Sequence, residues 1–250
     1  MAERTEYRQI ADALREAILR REYRPGDALP REEDLAERFH VTRPTIRQAI
    51  RVLRQEGRIT TRRGQGTFVR VGPTVALRYR PDMPRGGPWS TSIATIGPSG
   101  SVHPIGVEVI PAGGREMSWL EIAEGVDVMV RRRHIRDANG DPIQLYDSYF
   151  ALDLVRDTPL GDPTTAQGGV YRTLERMGHL PVEFGESVGA RMPTPNEAAV
   201  LRLGDRTPVL EIVRVTRDDS GLAVEALHIV AAADRNLLVY DALPIARGKY

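Results

Sequence analysis

The chain contains no cysteine, so disulfides and thiolate chemistry are excluded. Of its 35 basic residues only one, Lys249, is lysine. A Schiff-base lysine would have to be that penultimate residue, and a Walker A loop has no internal lysine to use. No run approaches the ~18 apolar residues of a membrane span. The first residues, MAERTEYRQIADALREAI, lack the apolar core of a secretory leader. A soluble, cytoplasmic protein that crosses no membrane is therefore expected. The five histidines, His40, His103, His134, His179 and His228, show no HExxH or comparable metal-ligand spacing. Gly97-Pro98-Ser99-Gly100-Ser101 is not a nucleophile elbow, because position 101 is serine. No enzyme activity, metal or cofactor is expected.

What the chain does have is arginine in one place. The formal net charge is only +1, but residues 1–72 carry 16 Arg against 11 Asp and Glu, a net +5, and the remaining residues carry the offsetting −4. From Arg38 to Arg70 there are nine arginines and one acid, Glu56. An arginine run is ordinarily a solvated face. Three features argue here for a surface that holds a phosphate backbone: a tight turn before the arginine-rich helix, a hairpin with arginines beside glycines, and an apolar stripe consistent with both.

Apolar spacing marks the elements. Tyr7, Ile10, Ala11, Leu14 and Ile18 fall at helical spacing, and Leu35, Ala36 and Phe39 mark a short second helix. Residues 40–42 are the tight connection, Thr42 is placed to cap a third helix, and Pro44 suits its first turn. Ile46, Ala49, Ile50 and Leu53 form the inner face of that helix, and Gly57 stops it. Arg47, Gln48, Arg51 and Gln55 lie opposite, with Arg43 and Thr45 at its start. Residues 59–61 and 67–69 read as paired strands around the turn Arg62-Arg63-Gly64-Gln65-Gly66. Three helices and a hairpin make a winged helix-turn-helix over residues 1–70. Residues 71–88 hold four prolines and three glycines and read as a semi-stiff linker. Residues 89–250 change to strands, expected at 102–110, 127–136, 142–150, 182–190, 208–216 and 222–230, with helices near 170–177 and 196–203. Asn139-Gly140 and Ser220-Gly221 signal hairpins, so the sheet should be largely antiparallel and the fold class α+β.

Residues 5–69 closely resemble the GntR-type winged helix domain. The likeness rests on Arg24-Pro25-Gly26, Leu29-Pro30, Leu35-Ala36, Val41-Thr42-Arg43, Thr45-Ile46-Arg47, Glu56-Gly57 and residues 64–69, GQGTFV. It implies contacts to double-stranded DNA from Arg43, Thr45 and Arg47 on the third helix and from Arg63 and Gly64 in the wing. Arginine suits bidentate pairing with guanine or phosphate clamping, Thr45 suits phosphate, and Gln48 and Arg62 complete the candidate set. One departure stands out. The family's arginine after the Glu of the Leu-Pro segment is replaced by Glu33, which leaves Arg31 as the candidate substitute.

Residues 89–243 resemble, more weakly, the effector-binding UTRA domain of HutC-type GntR regulators, whose fold is related to chorismate lyase. The likeness is carried by residues 127–133, Gly140-Asp141-Pro142-Ile143, Ser148-Tyr149, residues 171–175, 197–201 and Ala223-Val224-Glu225. It implies a homodimer and a small, often anionic, effector. The implied contacts are Arg133 and Arg131, which share one face of a strand, with Tyr146, Ser148, Tyr171 and Glu225. Gly169 stands where sugar-phosphate members carry serine, and Tyr146 where many members carry glutamate, which points to a more aromatic or apolar ligand. The combined expectation is a ligand-responsive repressor, released from a palindromic operator by its effector. Two other readings stand beside it: an effector-independent repressor of the plasmid-maintenance type, and a chorismate lyase-like enzyme.

Overall fold

In a computed structural model the described residues are 3–62, 64–70, 75–79, 101–137, 140–162, 169–204 and 207–240. The chain divides into two compact units, Met1–Pro73 with Leu203–Thr207, and Thr74–Arg202 with Pro208–Tyr250.

The first unit contains helices α1 (Glu3–Leu19), α2 (Glu32–Phe39) and α3 (Arg43–Gln55), then strands β1 (Ile59–Arg62) and β2 (Gly66–Val69). Ile10, Ala11 and Leu14 of α1 close on Leu35, Ile46, Ala49, Ile50 and Leu53, with Leu29, Ile59 and Val69 completing one apolar core. The stripe expected from spacing is thus the buried face. Between α2 and α3 the chain turns at His40, which takes a left-handed conformation (φ 54°), and the Val41 N–H donates to the Ala36 carbonyl at 3.0 Å. Thr42 is the N-cap of α3, but its side chain does not cap the helix. Its hydroxyl instead bonds that of Thr45, 3.0 Å away, which corrects the expected role of Thr42. β1 and β2 pair antiparallel with Ile59 opposite Val69 and Arg62 opposite Gly66. Backbone bonds from Gly26 N–H to Val69 O and from Leu29 N–H to Thr67 O add residues 26–29 to the hairpin.

The second unit is built on a six-stranded, wholly antiparallel sheet. Its strands are β4 (Ser101–Pro111), β5 (Asp127–Arg136), β6 (Pro142–Ala151), β7 (Pro181–Arg191), β8 (Val209–Asp218) and β9 (Ala223–Ala232), in the order β4-β5-β6-β9-β8-β7. Short helices α4 (Gly114–Leu120), α5 (Leu152–Val155), α6 (Gly169–Arg176) and α7 (Pro195–Val200) connect them. Each expected strand is present to within two residues, and helix α7 ends earlier than the expected 203, the chain turning into a left-handed conformation at Arg202 (φ 50°).

The segment read as linker, 71–88, contains a strand that composition did not reveal. β3 (Val75–Tyr79) pairs in parallel with β10 (Asn236–Tyr240). Val75, Leu77 and Tyr79 are buried against Ile135, Ile143, Tyr146, Ile212 and Ile229 of the large sheet. Prolines and glycines dominate the segment, but the apolar alternation Val75, Leu77, Tyr79 fixes this part of it. Residues 71–74 and 80–88 lie outside the described residues.

Candidate nucleic-acid interface and effector face

Helix α3 buries Ile46, Ala49, Ile50 and Leu53 completely or nearly so, while Arg43, Arg47, Gln48, Arg51 and Arg54 are exposed. Because 3.6 residues complete a turn, the cations share the solvent side of one helix. The single acid of this stretch, Glu56, does not neutralise that side. It takes a bidentate pair from Arg15 of α1 (2.6 and 2.9 Å) and a third bond from Arg58, and these arginines hold its carboxyl below the usual range. In the wing, Gly64 and Gly66 have φ of +76° and +114°. Nothing lies within 4 Å of a Cβ at either, so backbone conformation, not space, demands glycine there. Arg62 pairs through its backbone, its side chain is not described, and Arg63 lies outside the described residues.

Thr45, expected to meet a phosphate, is 4% exposed and its hydroxyl is engaged by Thr42. This arrangement turns it into the core. Arg31 is exposed beside the first turn of α2, where its backbone N–H donates to Asp34 (3.2 Å). Sequence reading missed the acids across from α3. Arg43 lies 3.0 Å from Glu33 and 3.8 Å from Glu32, and Arg47 Nε donates to Glu32 at 2.7 Å. The departure from the family pattern at Glu33 was the available signal.

In the second unit, register decides which side chains meet. Arg131 stands opposite Ser148 and Arg133 opposite Tyr146. Ser148 in turn stands opposite Leu227, and Leu227 opposite Arg214. Period-two alternation puts Arg131, Arg133, Tyr146, Ser148, Glu225, Thr216, Arg214 and Glu186 on one sheet face. Arg132 points to the other, where it pairs with Glu108 and Asp147.

The members of this face are used differently. Arg131 is 3% exposed and donates to the backbone carbonyls of Leu160 (2.9 Å) and Asp162. Burial and the neighbouring Arg133 lower its affinity for its proton, opposed by Asp162 and Glu225. It therefore clamps the turn at 159–161 as well as facing the sheet. Arg133 is half-buried, donates to the Ser148 hydroxyl and lies 5.8 Å over the Tyr146 ring. Its Nε is buried with no hydrogen-bond partner. Tyr171, on α6, bonds the Thr216 hydroxyl at 2.9 Å, and burial pushes its phenol up. Glu225 is 2% exposed. Tyr146 (3%) and Ser148 (0%) are as buried as core residues, so they support the face from beneath. An unexpected buried ion pair lies further along it: Arg214 Nε donates to Glu186 at 2.6 Å, with Arg214 also 5.0 Å from the Phe184 ring and 3.5 Å from the Tyr79 hydroxyl. No motif marks this pair, because cross-strand partners 28 residues apart are set by register alone.

Among the described residues no helix is long and apolar enough to cross a membrane. The family model for bacterial regulatory proteins of the gntR family matches residues 6–69, and the UTRA domain model matches residues 101–236. An HTH-type transcriptional regulator of Streptomyces coelicolor is 31% identical, covering 94% of this chain and 91% of its own. The HTH-type transcriptional repressor NagR of Bacillus subtilis is 27% identical, over 94% of this chain and 93% of its own. The mannosyl-D-glycerate transport/metabolism system repressor MngR of Escherichia coli is 28% identical over 83% of each chain. A solved GntR-family transcriptional regulator superposes with a TM-score of 0.62 at 27% identity, covering 96% of this chain and 98% of its own. PhnF from Mycobacterium smegmatis shares the fold, with a TM-score of 0.57 at 23% identity, over 98% and 99% of the two chains. With a winged helix whose exposed face is cationic, an antiparallel effector-type sheet and these relatives, the chain belongs to the gntR family of bacterial regulatory proteins, in its UTRA-bearing branch, and is a DNA-binding transcriptional regulator, not an enzyme.

Proposed function

We propose that this protein is a cytoplasmic, homodimeric repressor that leaves a palindromic operator when a small anionic effector binds the arginine face of its second unit. On the DNA side the contacts are Arg43, Arg47 and Gln48 on α3, Arg31 at the start of α2, and the wing at Arg62, Arg63 and Gly64. Thr45 drops out of the set because its hydroxyl is turned inward. Residues up to 70 form the DNA-binding domain. Effector binding and dimerisation belong to the second unit, starting with β3. Two of the relatives are named as repressors, which supports repression over activation. Two-fold protein symmetry would call for a two-fold operator.

The observation that carries the effector half is Arg133. Its Nε is buried without a partner, and a buried donor left unmade is costly. A carboxylate or phosphate of a ligand would satisfy it, with Arg131 adding charge and Glu225 and Tyr171 available to hydroxyl or amino groups. The aromatic surroundings, Tyr146 and Tyr171, support a ligand with an apolar portion. The ligand shifts DNA affinity only through its preference between two arrangements of the dimer, typically ~5–150-fold.

The test is a footprint on the DNA upstream of its own gene, repeated with a panel of anionic metabolites. Release by one of them, lost in Arg133→Gln while the footprint persists, is the expected result. Release that survives in Arg133→Gln moves the effector site elsewhere. A footprint that no metabolite disturbs favours the effector-independent repressor instead.

A further inference from the structure

Two cations of α3, Arg43 and Arg47, are paired with acids of the same domain. Glu32 and Glu33 are the first two residues of α2, where negative charge is favoured by the helix dipole. From there they reach across to α3. Glu32 takes Arg47 Nε at 2.7 Å, and Glu33 takes Arg43 Nη1 at 3.0 Å. These groups remain accessible: the Arg43, Arg47 and Glu33 side chains are 49%, 56% and 61% exposed. Exposed pairs of this kind contribute little to stability, so their effect is on what the arginines can bind.

We propose that Glu33 is a specificity-determining residue of the DNA interface. It holds the Arg43 guanidinium in one orientation and places a negative charge where the duplex would otherwise seat a phosphate. DNA carries one backbone charge per ~1.7 Å of its axis. A carboxylate at the rim of the interface therefore repels every sequence alike, and so weakens sequence-independent binding. Arg43, fixed by its partner, is presented to a base edge, where bidentate geometry discriminates. Glu33 itself can accept a bond from a cytosine amino group, but not from a phosphate. A repulsive element of this kind raises specificity by penalising the wrong complexes more than the right one. Glu32 pairs with Arg47 and also reaches Arg43 at 3.8 Å, so Glu33 is the acid that is dedicated to Arg43.

The inference rests on α3 being the DNA-facing helix, and the experiment separates the two. The full-length protein, Glu33→Gln, Glu33→Arg and Arg47→Ala are titrated with salt against one arbitrary duplex, and each is used to select from a random-sequence duplex library. In Glu33→Arg each added phosphate contact steepens the log K against log[salt] slope by roughly 0.9, or about 5-fold in affinity near ~0.15 M salt. Glu33→Gln gains less, because it removes repulsion without adding a cation. Both variants should select sequences with a weaker preference at the base pairs facing Arg43. Arg47→Ala should bind more weakly than the parent. If Arg47→Ala binds less well but the Glu33 variants keep the parental slope and the parental sequence preference, Glu33 has no such role. If Arg47→Ala binds as the parent does, the DNA face lies elsewhere and the proposal falls with it.

Discussion

The Arg214–Glu186 pair is the most exacting electrostatic feature of the second unit, and Glu186→Ala tests it. The two side chains are 3% and 6% exposed. Both Nε and Nη2 of the guanidinium lie 2.6 Å from the same oxygen, Oε1, while Oε2 is buried without a partner. Burial opposes the charge on Arg214, but Glu186 more than offsets it, and the guanidinium is held above its usual range. Removing the carboxylate leaves a cation in an apolar layer of Tyr79, Tyr146 and Phe184. Breaking a buried pair from one side costs about 3–5 kcal/mol, a large share of the ~5–15 kcal/mol that holds a domain together. Replacing both partners, Glu186→Leu with Arg214→Met, removes charge and counter-charge together and should cost under about 2 kcal/mol. The assay is urea unfolding monitored by tryptophan fluorescence. Trp119, on α4, reports on the second unit. A single-variant cost below about 1 kcal/mol, or a double variant no better than the single, would show that the pair is solvated and not a buried ion pair.

Local geometry sets three further outcomes. Thr45→Val should cost about 1 kcal/mol through its lost bond to Thr42 yet leave DNA affinity within 2-fold, by the approximate arithmetic of a contact not made; a large loss of affinity with normal stability would restore Thr45 to the interface. Gly64→Ala meets no steric obstacle but must hold φ +76°, at roughly 1–2 kcal/mol, and should weaken operator binding through a distorted wing; unchanged binding would remove the wing tip from the contact. Glu197 is held at about 2 by its bonds to Arg191, against an ordinary 4.5. Its folded value is depressed, so its contribution is present above pH 4.5 and is lost as pH falls towards 2. Glu197→Gln should therefore flatten the acid limb of second-unit stability in that window, and an unaltered limb would mean that the pair is as well made in the unfolded chain.

The parts of this molecule that sequence made legible are those governed by local rules. The α3 stripe of Ile46, Ala49, Ile50 and Leu53 predicted both the buried face and, by elimination, the exposed arginines. The glycines at 64 and 66 predicted a turn that needs positive φ. Strand alternation put Arg131 and Arg133 together and Arg132 apart. What stayed hidden depends on tertiary register. Nothing in residues 71–88 says that Val75, Leu77 and Tyr79 find a parallel partner more than 150 residues later, because proline and glycine content outweighs a five-residue strand in any local reading. Tyr146, read as a ligand contact by position, is 3% exposed with the Arg133 guanidinium 5.8 Å over its ring. Glu33 read as a departure from the family pattern, and the structure pairs it with Arg43 at 3.0 Å.

The hidden strand also bears on the route that the proposed effector signal would take. A two-stranded sheet such as β3–β10 is marginal on its own backbone bonds, so β3 is held by the burial of Val75 (0%), Leu77 (0%) and Tyr79 (4%). The Tyr79 ring adds a stack on Tyr240 at 4.6 Å and a tilted contact with Phe184 at 6.3 Å. Val75 comes directly after the unit boundary at Pro73–Thr74, one of three chain crossings between the units, with Arg202–Leu203 and Thr207–Pro208, so a rearrangement of the sheet that travels through this first crossing passes along this strand. Truncating Tyr79 to Ala should cost about 3–5 kcal/mol of local packing and release the strand from the sheet. In that variant the backbone amides of β3 and β10 should exchange with solvent far faster than those of β5, β6 and β9. DNA affinity should be retained, since the winged helix has its own core, while ligand-induced release should shrink. Slow exchange at β3 in Tyr79→Ala, or full release despite fast exchange, would show that the signal takes another route.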